Sequence, residues 1–451
     1  MSYLYTKTSS SHLQAYPLDN TQKAGIGLSV FGLLILIATL FDVQLFPSVI
    51  WLVLSIVCIL AGVTVYSVFT YKKMPAGIKN NGIYHISLTN RGLLGWIAGV
   101  MLTAFYVLLY WFPQGIGLGT DGESNTRLVA LFDPLSMWIK NQPASEWFVY
   151  GTLYTLAILS FGIKFILKYW HNRYQLYRTI VVIFCQLFLA YIIPEIMEGL
   201  SDPEKYFAKD LKFFWPLNYY FFDAWHINNM TASGSLGMVF LVWGIVGVLL
   251  VTPVLTYFLG KRWYCSWVCG CGGLAETAGD PFRHLSNKTM ESWRLERILI
   301  YSILGFIIIV TGVVLYGYFS GSGSFLGLDI YSYFSRPYAF FIGAAFSGVI
   351  GVGFYPILGN RVWCRFGCPL AAYMGIIQRF KSRFRITTNG GQCISCGNCS
   401  TYCEMGIDVR SYAQRKRNIV RASCVGCGIC SAVCPRGVLK LENGPLNNRL
   451  N

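Results

Sequence analysis

Charged residues are scarce in this chain of 451 residues. Lysine, arginine, aspartate and glutamate together make up 12% of it, whereas hydrophobic residues make up 54% and aromatic residues 16%. A soluble domain usually carries about 25% charged residues, because its surface faces water. The composition therefore excludes an ordinary soluble protein and indicates a protein embedded in a lipid bilayer.

Histidine is scarcer still, with five residues in the whole chain. No two of them are paired inside an apolar run, which argues against a haem held by two histidines, and no C-x2-C-H motif for covalent haem attachment occurs. No G-x-G-x-x-G follows a strand-like segment, and no general acid, nucleophile or hydride-cofactor motif is visible. Any catalysis is therefore expected to belong to bound cofactors.

Long apolar runs are abundant instead, and eight are long enough, or nearly so, to cross about 30 Å of hydrocarbon as helices. They lie near residues 24–41, 47–70, 92–112, 147–167, 179–199, 235–259, 297–319 and 338–358. The sequence predicts a polytopic all-α membrane protein with about eight transmembrane helices. Residues 1–23 are polar and no small-residue cleavage site follows the first run, so we expect that run to be retained.

The net charge of +16 is distributed by loop, with basic and acidic loops in alternation. The basic loops are 71–91, 168–178, 260–296 and the region after 358, and the acidic loops are 113–146, 200–234 and 320–337. Basic loops stay in the cytoplasm, so an even number of spans predicts both termini on the cytoplasmic side of a bacterial inner membrane. We expect no nucleic-acid partner, and interpret the basic tail 410–421 as a solvated, lipid-facing surface.

Cysteine is concentrated between residues 393 and 434, where each half reads C-x2-C-x2-C-x3-C. In bacterial two-cluster ferredoxins, three thiolates at this spacing and one distant cysteine hold each [4Fe–4S] cluster, and the fourth ligand is exchanged between halves. Zinc sites or disulfides fit less well, because zinc favours CxxC pairs and nothing indicates secretion. The predicted ligand sets are Cys393, Cys396, Cys399 and Cys434 for one cluster, and Cys424, Cys427, Cys430 and Cys403 for the other.

A second cysteine pattern repeats in the apolar region. LGKRWYCSWVC at 259–269 aligns with LGNRVWCRFGC at 358–368. Each copy follows an apolar run and two runs separate the copies, so both C-x3-C pairs are expected at the cytoplasmic face, in a parallel repeat. If each pair is helical, its two cysteines share one helix face. Four thiols would then converge between the repeats: Cys265, Cys269, Cys364 and Cys368.

Three interpretations of these four thiols remain open. They hold a third iron–sulfur cluster at the membrane surface, form redox-active dithiols, or bind another metal such as copper. Arg262 and Arg361, one turn before each pair, are expected to lower the thiolate pKa values. Cys271 offers a spare ligand in the first copy, where the second has Leu370. We favour a metal site bound by all four paired cysteines.

An aromatic segment, 195–231, follows the fifth apolar run. Glu195 and Glu198 precede the stretch FFWPLNYYFFDAW, and His226 follows it. Quinol oxidation needs a flat apolar slot for the ring and a carboxylate or imidazole that accepts protons. These three residues are therefore a candidate quinol site. The commoner alternative is an interfacial aromatic belt whose acids face water.

Together these motifs resemble the membrane-bound polyferredoxin family of the NapH, NosR and CcoG type. The resemblance covers residues 235–443 and rests on two C-x3-C pairs after membrane spans, followed by the double ferredoxin run. Members usually read C-x3-C-P twice. Here Pro369 keeps the proline of the second copy, whereas Gly270 replaces it in the first and Glu404 replaces a usual proline in the ferredoxin run.

The resemblance implies a quinol-oxidising membrane subunit of a reductase, a maturation or regulatory protein, or a copper-insertion factor. No flavin-attachment stretch of the SGAT type occurs, so no covalent flavin is expected. No soluble domain is expected after Leu441, unlike in the copper-insertion factors.

The sequence therefore predicts a membrane-bound iron–sulfur electron-transfer protein of a respiratory chain, with a quinol dehydrogenase subunit as one candidate. It would relay electrons between a quinone pool or partner subunit and cytoplasmic [4Fe–4S] clusters. The alternative is a redox or copper assembly or regulatory factor for a terminal reductase or oxidase. The expected partners are the bilayer, a quinone and other reductase subunits. The expected domains are an N-terminal segment 1–23, a five-span membrane domain 24–234, a polyferredoxin core 235–385, a ferredoxin module 386–443 and a tail 444–451.

Overall fold

A computed structural model describes residues 18–72, 74, 77–78, 82–120, 123–200 and 206–445. Most of the expected N-terminal segment (1–17), parts of the loops 71–91, 113–146 and 200–234, and most of the tail (446–451) lie outside the described residues. The described chain is mostly helical and contains two small two-stranded sheets.

The helices are numbered in chain order. They are α1 Asn20–Leu40, α2 Ser48–Tyr71, α3 Leu93–Trp111, α4 Arg127–Lys140, α5 Glu146–Tyr169, α6 Arg173–Gly199, α7 Ala224–Ala232, α8 Gly234–Leu259, α9 Arg262–Cys265, α10 Gly270–Thr277, α11 Met290–Ser320, α12 331–350, α13 Tyr355–Leu358, α14 Trp363–Gly367, α15 Pro369–Phe380, α16 Asn398–Thr401, α17 Val409–Gln414 and α18 Ile429–Ala432. Short 3-10 turns lie at Pro113–Ile116, Tyr206–Leu211, Asp280–Leu285 and Gly390–Gln392. The strands are β1 Ser324–Phe325, β2 Leu328–Asp329, β3 Phe384–Thr388 and β4 Leu439–Asn443.

Seven of the described helices are long and apolar enough to cross a membrane, namely α1, α2, α3, α5, α6, α8 and α11. They coincide with the first seven apolar runs of the sequence. Their outer faces leave large apolar side chains uncovered, such as Leu249 on α8, which is 71% exposed. An apolar surface of this extent is stable when lipid covers it, and a helix satisfies its own backbone hydrogen bonds there. The seven helices indicate a multi-pass membrane protein.

The eighth predicted span, 338–358, is not among these seven helices. Its first part lies in α12, which is mostly π-helical and begins with a polar turn that contains Arg336. The chain then turns at 351–354 and continues in the short α13. The eighth crossing, and with it the even number of spans, stays a prediction.

Helices α1 and α2 form a tightly packed antiparallel pair. A Cβ at Gly62 would lie 2.5 Å from the backbone nitrogen of Ser29, and Ser55 Oγ donates to Gly32 O at 2.9 Å. Small residues at the contact allow the two backbones to approach closely, as in other membrane helix pairs. The pair supports the central helices, because α2 also packs on α5.

Each C-x3-C pair lies on a helical hairpin, formed by α9 and α10 in the first copy and by α14 and α15 in the second. Each hairpin begins at a glycine with positive φ. These are Gly260 (φ 68°) and Gly359 (φ 97°), the glycine shared by both copies of the repeat. A Cβ at Gly260 would lie 2.7 Å from Phe384 Cβ, and one at Gly359 would lie 2.7 Å from Ser286 Oγ. The turn therefore requires glycine for its backbone conformation and for space.

The two hairpins extend back between the spans. A Cβ at Gly270 would lie 2.7 Å from Gln186 Oε1, near the middle of α6. In the second hairpin, Tyr373 Oη donates at 3.2 Å to the carbonyl oxygen of Val248, near the middle of α8. The expectation of a thiol site at the surface is therefore corrected, because both hairpins turn inward after their glycine.

The ferredoxin module is closed by antiparallel pairing of β3 with β4, in the register Phe384 to Asn443 and Thr388 to Leu439. Its halves share a local geometry, since Gly397 (φ 80°) precedes α16 and Gly428 (φ 76°) precedes α18. The largest cluster of buried side chains joins α11, both cysteine hairpins and this module. The module is therefore packed onto the membrane helices.

Candidate metal centres

Four cysteines from both halves of the ferredoxin run surround one cavity. They are Cys393, Cys396, Cys399 and Cys434. The pKa of Cys399 is raised to about 12, first by burial and then by the other three thiols of this set. The structure thus brings together the four residues of the first predicted ligand set, including the ligand exchanged from the other half.

The remaining four ferredoxin cysteines form a second group, which is more deeply buried. Cys424 and Cys430 are buried, and Cys403 and Cys427 are partly buried. Burial raises the pKa of Cys430, and the other three thiols of this set raise it further. Cys403, from the first half, therefore lies near the three cysteines of the second half, and the second ligand set stays a prediction.

The chemistry of both groups fits iron–sulfur clusters. Buried, crowded thiols with raised pKa values lose their protons when a metal cation takes the place of the protons. The backbone N–H of Ile407 donates to Cys403 Sγ and that of Val438 donates to Cys434 Sγ, both at 3.4 Å. Hydrogen bonds of this kind help to set the reduction potential of a cluster.

The two groups differ in exposure. Cys396 is exposed and its neighbour Ile394 is 59% exposed, so the edge of the first group faces solvent. The second group lies against the membrane helices, where Gln175 Nε2 on α6 donates to Cys427 O at 2.8 Å. A soluble molecule can therefore approach the first group more directly than the second.

The two C-x3-C hairpins enclose a further cavity, whose wall contains five thiols; we call it the third cavity because it is the third cysteine-lined site. The cysteines are Cys265, Cys269, Cys271, Cys364 and Cys368. Much of the remaining wall is aromatic or apolar and includes Tyr264, Trp363 and Met374. The structure thus brings together the four paired cysteines and the spare Cys271 around one cavity.

The paired cysteines do not share a helix face, which corrects that expectation. Cys265 ends α9, whereas Cys269 has extended backbone (φ −68°, ψ 126°) and precedes α10. Cys368 (φ −76°, ψ 111°) likewise precedes α15, and its Sγ accepts a hydrogen bond from the backbone N–H of Ala371 at 3.4 Å. In the second copy Pro369 explains the break, because the residue before a proline is disfavoured in helical conformation.

Two arginines were expected to lower the pKa values of these thiols, and one of the two contacts a thiol. Arg361 Nη1 donates to Cys364 Sγ at 3.5 Å. Burial raises the pKa of Cys364, and Arg361 partly opposes this effect. Arg262 instead lies over the ring of Phe384, 4.8 Å from its centroid. The prediction for Arg262 is therefore wrong, because this side chain stacks on the ferredoxin module.

A buried network of charges lies between the third cavity and the second ferredoxin group. Three guanidinium groups and the ammonium group of Lys168 surround three carboxylates, so that each carboxylate pairs with two cations. The ion pairs are Arg178–Glu276, Arg283–Glu404, Arg361–Glu276, Arg361–Glu404 (3.0 Å), Arg283–Asp280 (2.8 Å) and Lys168–Asp280 (2.5 Å). The sequence signal for it was Glu404, which stands where related chains usually have a proline.

Side chains of this network connect the two neighbouring centres. Arg361 contacts Cys364 Sγ and also donates from Nε to Glu404, the residue after a ligand of the second group. A second link is the hydrogen bond from Ser266 Oγ to Val425 O at 2.8 Å, between two residues that each follow a cysteine. The third cavity and the second ferredoxin group are therefore in direct contact through protein atoms.

Three oxygen and sulfur atoms in this network lie within 4.8 Å of one another, one each from Glu276, Glu404 and Cys427. Both carboxylates are engaged by guanidinium groups. We therefore assign them to the ion-pair network and not to a separate metal site.

Known protein families account for both cysteine regions. The model of the "4Fe-4S dicluster domain" family matches residues 392–439, and the model of the "4Fe-4S binding domain" family matches residues 238–289 and 339–387. The chain carries 4Fe-4S ferredoxin domains. The second match spans both cysteine hairpins.

Curated relatives match about a third of the chain. It is 28% identical over 177 residues to the "Putative electron transport protein YccM" of Escherichia coli, a match that covers 37% of this chain and 48% of that protein. It is 28% identical over 162 residues to the "Methylamine utilization ferredoxin-type protein MauN" of Methylobacillus flagellatus, covering 35% of this chain and 53% of that protein. The MauN of Paracoccus denitrificans is 29% identical over 164 residues, with the same coverage.

This chain spans about half the length of the curated relatives it matches. No solved structure matches it. The ferredoxin domains and these homologues make the chain an iron–sulfur electron-transfer protein.

A buried lysine beside the first cysteine hairpin, Lys212, was not predicted. Its Nζ donates to Gln186 Oε1 at 3.3 Å and would lie 3.6 Å from a Cβ at Gly270, the residue between Cys269 and Cys271. Burial lowers the pKa of Lys212, and the nearby thiol of Cys269 opposes this effect. No carboxylate in the described part of the chain pairs with it. No local pattern marks it, because Lys212 follows the fifth apolar run and lies in a predicted outer loop.

The three candidate quinol residues contact polar partners; Glu195 and His226 are buried, and Glu198 is partly exposed. Lys140 Nζ contacts Glu195 at 3.1 Å and Glu198 at 3.3 Å. His226 Nε2 contacts Asp210 Oδ2 at 2.7 Å, and both side chains are fully buried. The glutamates therefore belong to one group and the histidine to another, with Lys140 and Asp210 as partners that sequence reasoning missed.

Proposed function

We propose that this protein is a respiratory electron-transfer subunit of a bacterial inner membrane. It relays electrons between a quinone pool or membrane partner and [4Fe–4S] clusters on the cytoplasmic side. The observation that supports this proposal most is that three cysteine-lined sites lie next to one another. They extend from a cavity between the spans to an edge that faces solvent. The function of the curated relatives in electron transport supports it.

Three clusters are proposed. Two are held by the crossed ferredoxin sets, and the third is held in the cavity between the hairpins, with Cys271 as a spare ligand. The convergence of five thiols in one cavity wall and the family match across both hairpins support a third centre of the same kind. The proposed ligands of the third centre are Cys265, Cys269, Cys364 and Cys368.

Clusters of this type exchange one electron at a time. Charged side chains of this chain are held in fixed positions around the sites. The negative charge of an added electron is therefore stabilised by hydrogen-bond donors that are already in place. Arg361 is the clearest case, since its guanidinium contacts Cys364 Sγ on one side and Glu404 on the other. The relay is therefore proposed to run from the third cavity through the second ferredoxin group to the first.

The quinol is proposed to bind at the segment between α6 and α8. This segment reaches the third cavity, because Leu217 forms part of the cavity wall. Oxidation of a quinol releases two protons and two electrons, so proton acceptors are needed beside an electron acceptor. The proposed acceptors are Glu195 and Glu198 in contact with Lys140, and His226 in contact with Asp210.

Electron exchange with a quinone analogue tests the proposed function. Anaerobically purified protein is mixed with duroquinol, or is first reduced with dithionite and then mixed with duroquinone. The visible absorbance and EPR signals of the clusters are followed. We expect exchange in at least one direction, and we expect its loss in C265A/C364A with both ferredoxin signals intact. Clusters that respond to dithionite but to neither quinone form would contradict the proposal.

The matched control for that experiment is Cys58→Ala, which removes a buried thiol from α2 that lies outside the cysteine-lined cavities. Its quinone exchange should equal that of the wild type. A loss of exchange in C58A would mean that the effect of C265A/C364A reports general damage.

A second candidate function is copper or redox assembly for a terminal reductase or oxidase. The fifth thiol of the third cavity favours it, because soft thiolate ligands bind copper(I) strongly. Titration of the protein with copper(I) in competition with a chromophoric chelator distinguishes the two. Copper binding at the C-x3-C site without any quinone exchange would support assembly, whereas quinone exchange without copper binding would eliminate it.

A further inference from the structure

The first ferredoxin group opens to solvent at one edge of its cavity. Cys396, one of its four ligands, is exposed there, and so are Ile394 and Pro435 in the cavity wall. An exposed ligand brings a bound cluster close to any molecule that docks at this edge. Apolar neighbours such as Ile394 are typical of the centre of a protein contact, from which water is excluded.

Cations surround this opening. Arg410 and Arg436 line the cavity itself. Gln414, at the end of α17, donates from Nε2 to Ser395 Oγ at 2.8 Å, which holds the following exposed turn beside the opening. We call this surface the basic edge, and its cations are Arg410, Arg415, Lys416, Arg417 and Arg436.

The charge of the basic edge is not neutralised within the module. Between β3 and β4, inclusive, the sequence contains three carboxylates, on Glu404, Asp408 and Glu442. Glu404 is buried in the ion-pair network, Asp408 accepts a hydrogen bond from Ser400 Oγ at 2.7 Å, and Glu442 lies opposite Arg385 in the β3–β4 register. None of the five cations forms an ion pair with a residue that the structure describes.

We propose that the basic edge docks an acidic, soluble protein that carries one electron at a time. The inference rests on the proposed function, because it needs an iron–sulfur cluster on the first cysteine set. One electron leaves the reduced carrier, which is oxidised by one unit, and the centre behind Cys396 is reduced by one unit. No atom is transferred, and the reverse transfer balances in the same way.

The position of the basic edge favours a protein over a lipid surface as its partner. This proposal differs from the lipid-facing interpretation of residues 410–421. The other half of the module faces the membrane helices, where Ile429 and Val433 pack with Phe165 and Tyr169 of α5. An anionic lipid would neutralise the cations but would cover Cys396. A protein carrier uses both features, since its acids meet the cations and its redox group approaches the exposed ligand.

Stopped-flow reduction by flavodoxin, an acidic one-electron carrier, tests the proposal. The full-length protein with its clusters is placed in nanodiscs of zwitterionic lipid and mixed with reduced flavodoxin, and the cluster absorbance is followed. The wild-type rate should fall steeply with salt, because salt screens attraction between opposite charges. R415E/K416E/R417E should react about tenfold or more slowly at low salt and lose most of this salt dependence.

A pair of single substitutions matches the charge change at two places. Lys416→Glu should slow the reaction about threefold. Lys381→Glu alters an exposed cation at the end of α15, next to the membrane helices, and should leave the rate unchanged. Equal rates for K416E and K381E would overturn the docking proposal. So would a triple variant that reacts slowly in nanodiscs of anionic lipid but at the wild-type rate in nanodiscs of zwitterionic lipid.

Reduction by a small neutral donor separates this inference from the proposed function. Photoreduced deazaflavin should reduce the wild type and all variants at equal rates, because a small donor needs no charged docking surface. A chain that deazaflavin cannot reduce, with no cluster absorbance, would overturn the proposed function and the docking proposal with it. Normal reduction by deazaflavin together with a salt-independent flavodoxin reaction would overturn the docking proposal alone.

Discussion

At the scale of single residues, the role of each cysteine is set by what surrounds it. Cys58 is buried in α2 and lies outside the cysteine-lined cavities, whereas Cys271 shares a wall with four other thiols. The pKa of Cys269 is lowered, mainly because Cys271 donates a hydrogen bond to it. Metal binding is therefore expected where several thiols line the same cavity.

Pairs of substitutions test which ferredoxin cysteines share a cluster. If the ligands are crossed, C434A and C396A each remove the same cluster, so the double variant C434A/C396A should lose no more iron than either single variant, about four atoms per chain. C434A/C427A should lose about twice as much, because it affects both clusters. Iron analysis of the anaerobically purified variants provides the measurement.

The same two double variants discriminate against an uncrossed arrangement. In that case C434A/C427A would lose one cluster and C434A/C396A would lose two. C58A provides the control and should retain the full iron content.

Lys212 is expected to raise the reduction potential of the third centre, because a buried cation favours the more negative, reduced state. Lys212→Met should lower that potential by on the order of 100 mV. An EPR-monitored redox titration measures it. Lys209→Met is the control, since Lys209 lies three residues away and is 28% exposed in its contact with Glu198. A potential unchanged by K212M would remove Lys212 from the site.

The residues found from sequence and those missed differ in the range of their contacts. The eight ferredoxin cysteines follow a local spacing, which sequence alone reveals. The pair Arg361–Glu276 joins residues on two different hairpins, and Lys212 approaches Gly270 from another segment. No local pattern marks such partners, because each is defined only when the chain is folded.

At the scale of elements, two hairpins and their glycine turns form the third cavity. The repeat itself was visible in the sequence, because both copies keep the glycine and both cysteines. The helical expectation for the pairs was wrong, because Cys269 and Cys368 adopt extended backbone and each begins a new helix. Spacing of cysteines alone does not distinguish one helix from two helices joined at a cysteine.

Substitution of the turn glycine should disrupt the second hairpin. Gly359→Ala places a side chain at φ 97° and within 2.7 Å of Ser286 Oγ, so the turn has to shift. We expect a loss of about 1–3 kcal/mol in stability, and about four irons fewer per chain with both ferredoxin signals retained. Gly305→Ala in α11 is the control, because a Cβ there meets nothing within 4 Å. Equal iron content in both variants would refute the role of the turn.

The ion-pair network should stabilise the contact between the ferredoxin module and the membrane helices. Glu404→Ala removes a carboxylate that pairs with Arg283 and Arg361, and leaves excess buried positive charge. The expected loss is about 3–5 kcal/mol, seen as a lower Tm in thermal unfolding of the purified protein. Glu442→Ala, on the exposed side of β4, should leave the Tm within about 1 °C. A similar Tm for both variants would contradict this role.

At the scale of the whole molecule, seven of eight predicted spans match long apolar helices, because hydropathy is a local property of each run. The eighth differs because α12 contains Arg336 and ends at residue 350, where the chain turns before the short α13. The seven helices do not fix an orientation, which depends on charges in the loops and on the eighth crossing. Orientation therefore stays a prediction from the basic loops.

Reporter fusions test that orientation. A fluorescent protein fused after residue 445 should fluoresce, and alkaline phosphatase fused at the same point should be inactive, because both report a cytoplasmic position. Phosphatase inserted in the loop between α3 and α4 should be active. An active phosphatase at residue 445 would show that the ferredoxin module lies outside the cytoplasm.

The central claim is that membrane helices hold three iron–sulfur centres on this chain's own cysteines. Iron and acid-labile sulfide, measured per chain on protein purified without oxygen, test it most directly. The account predicts about twelve atoms of each. A total of about eight of each would contradict the third centre, and a colourless protein without sulfide would contradict the account as a whole.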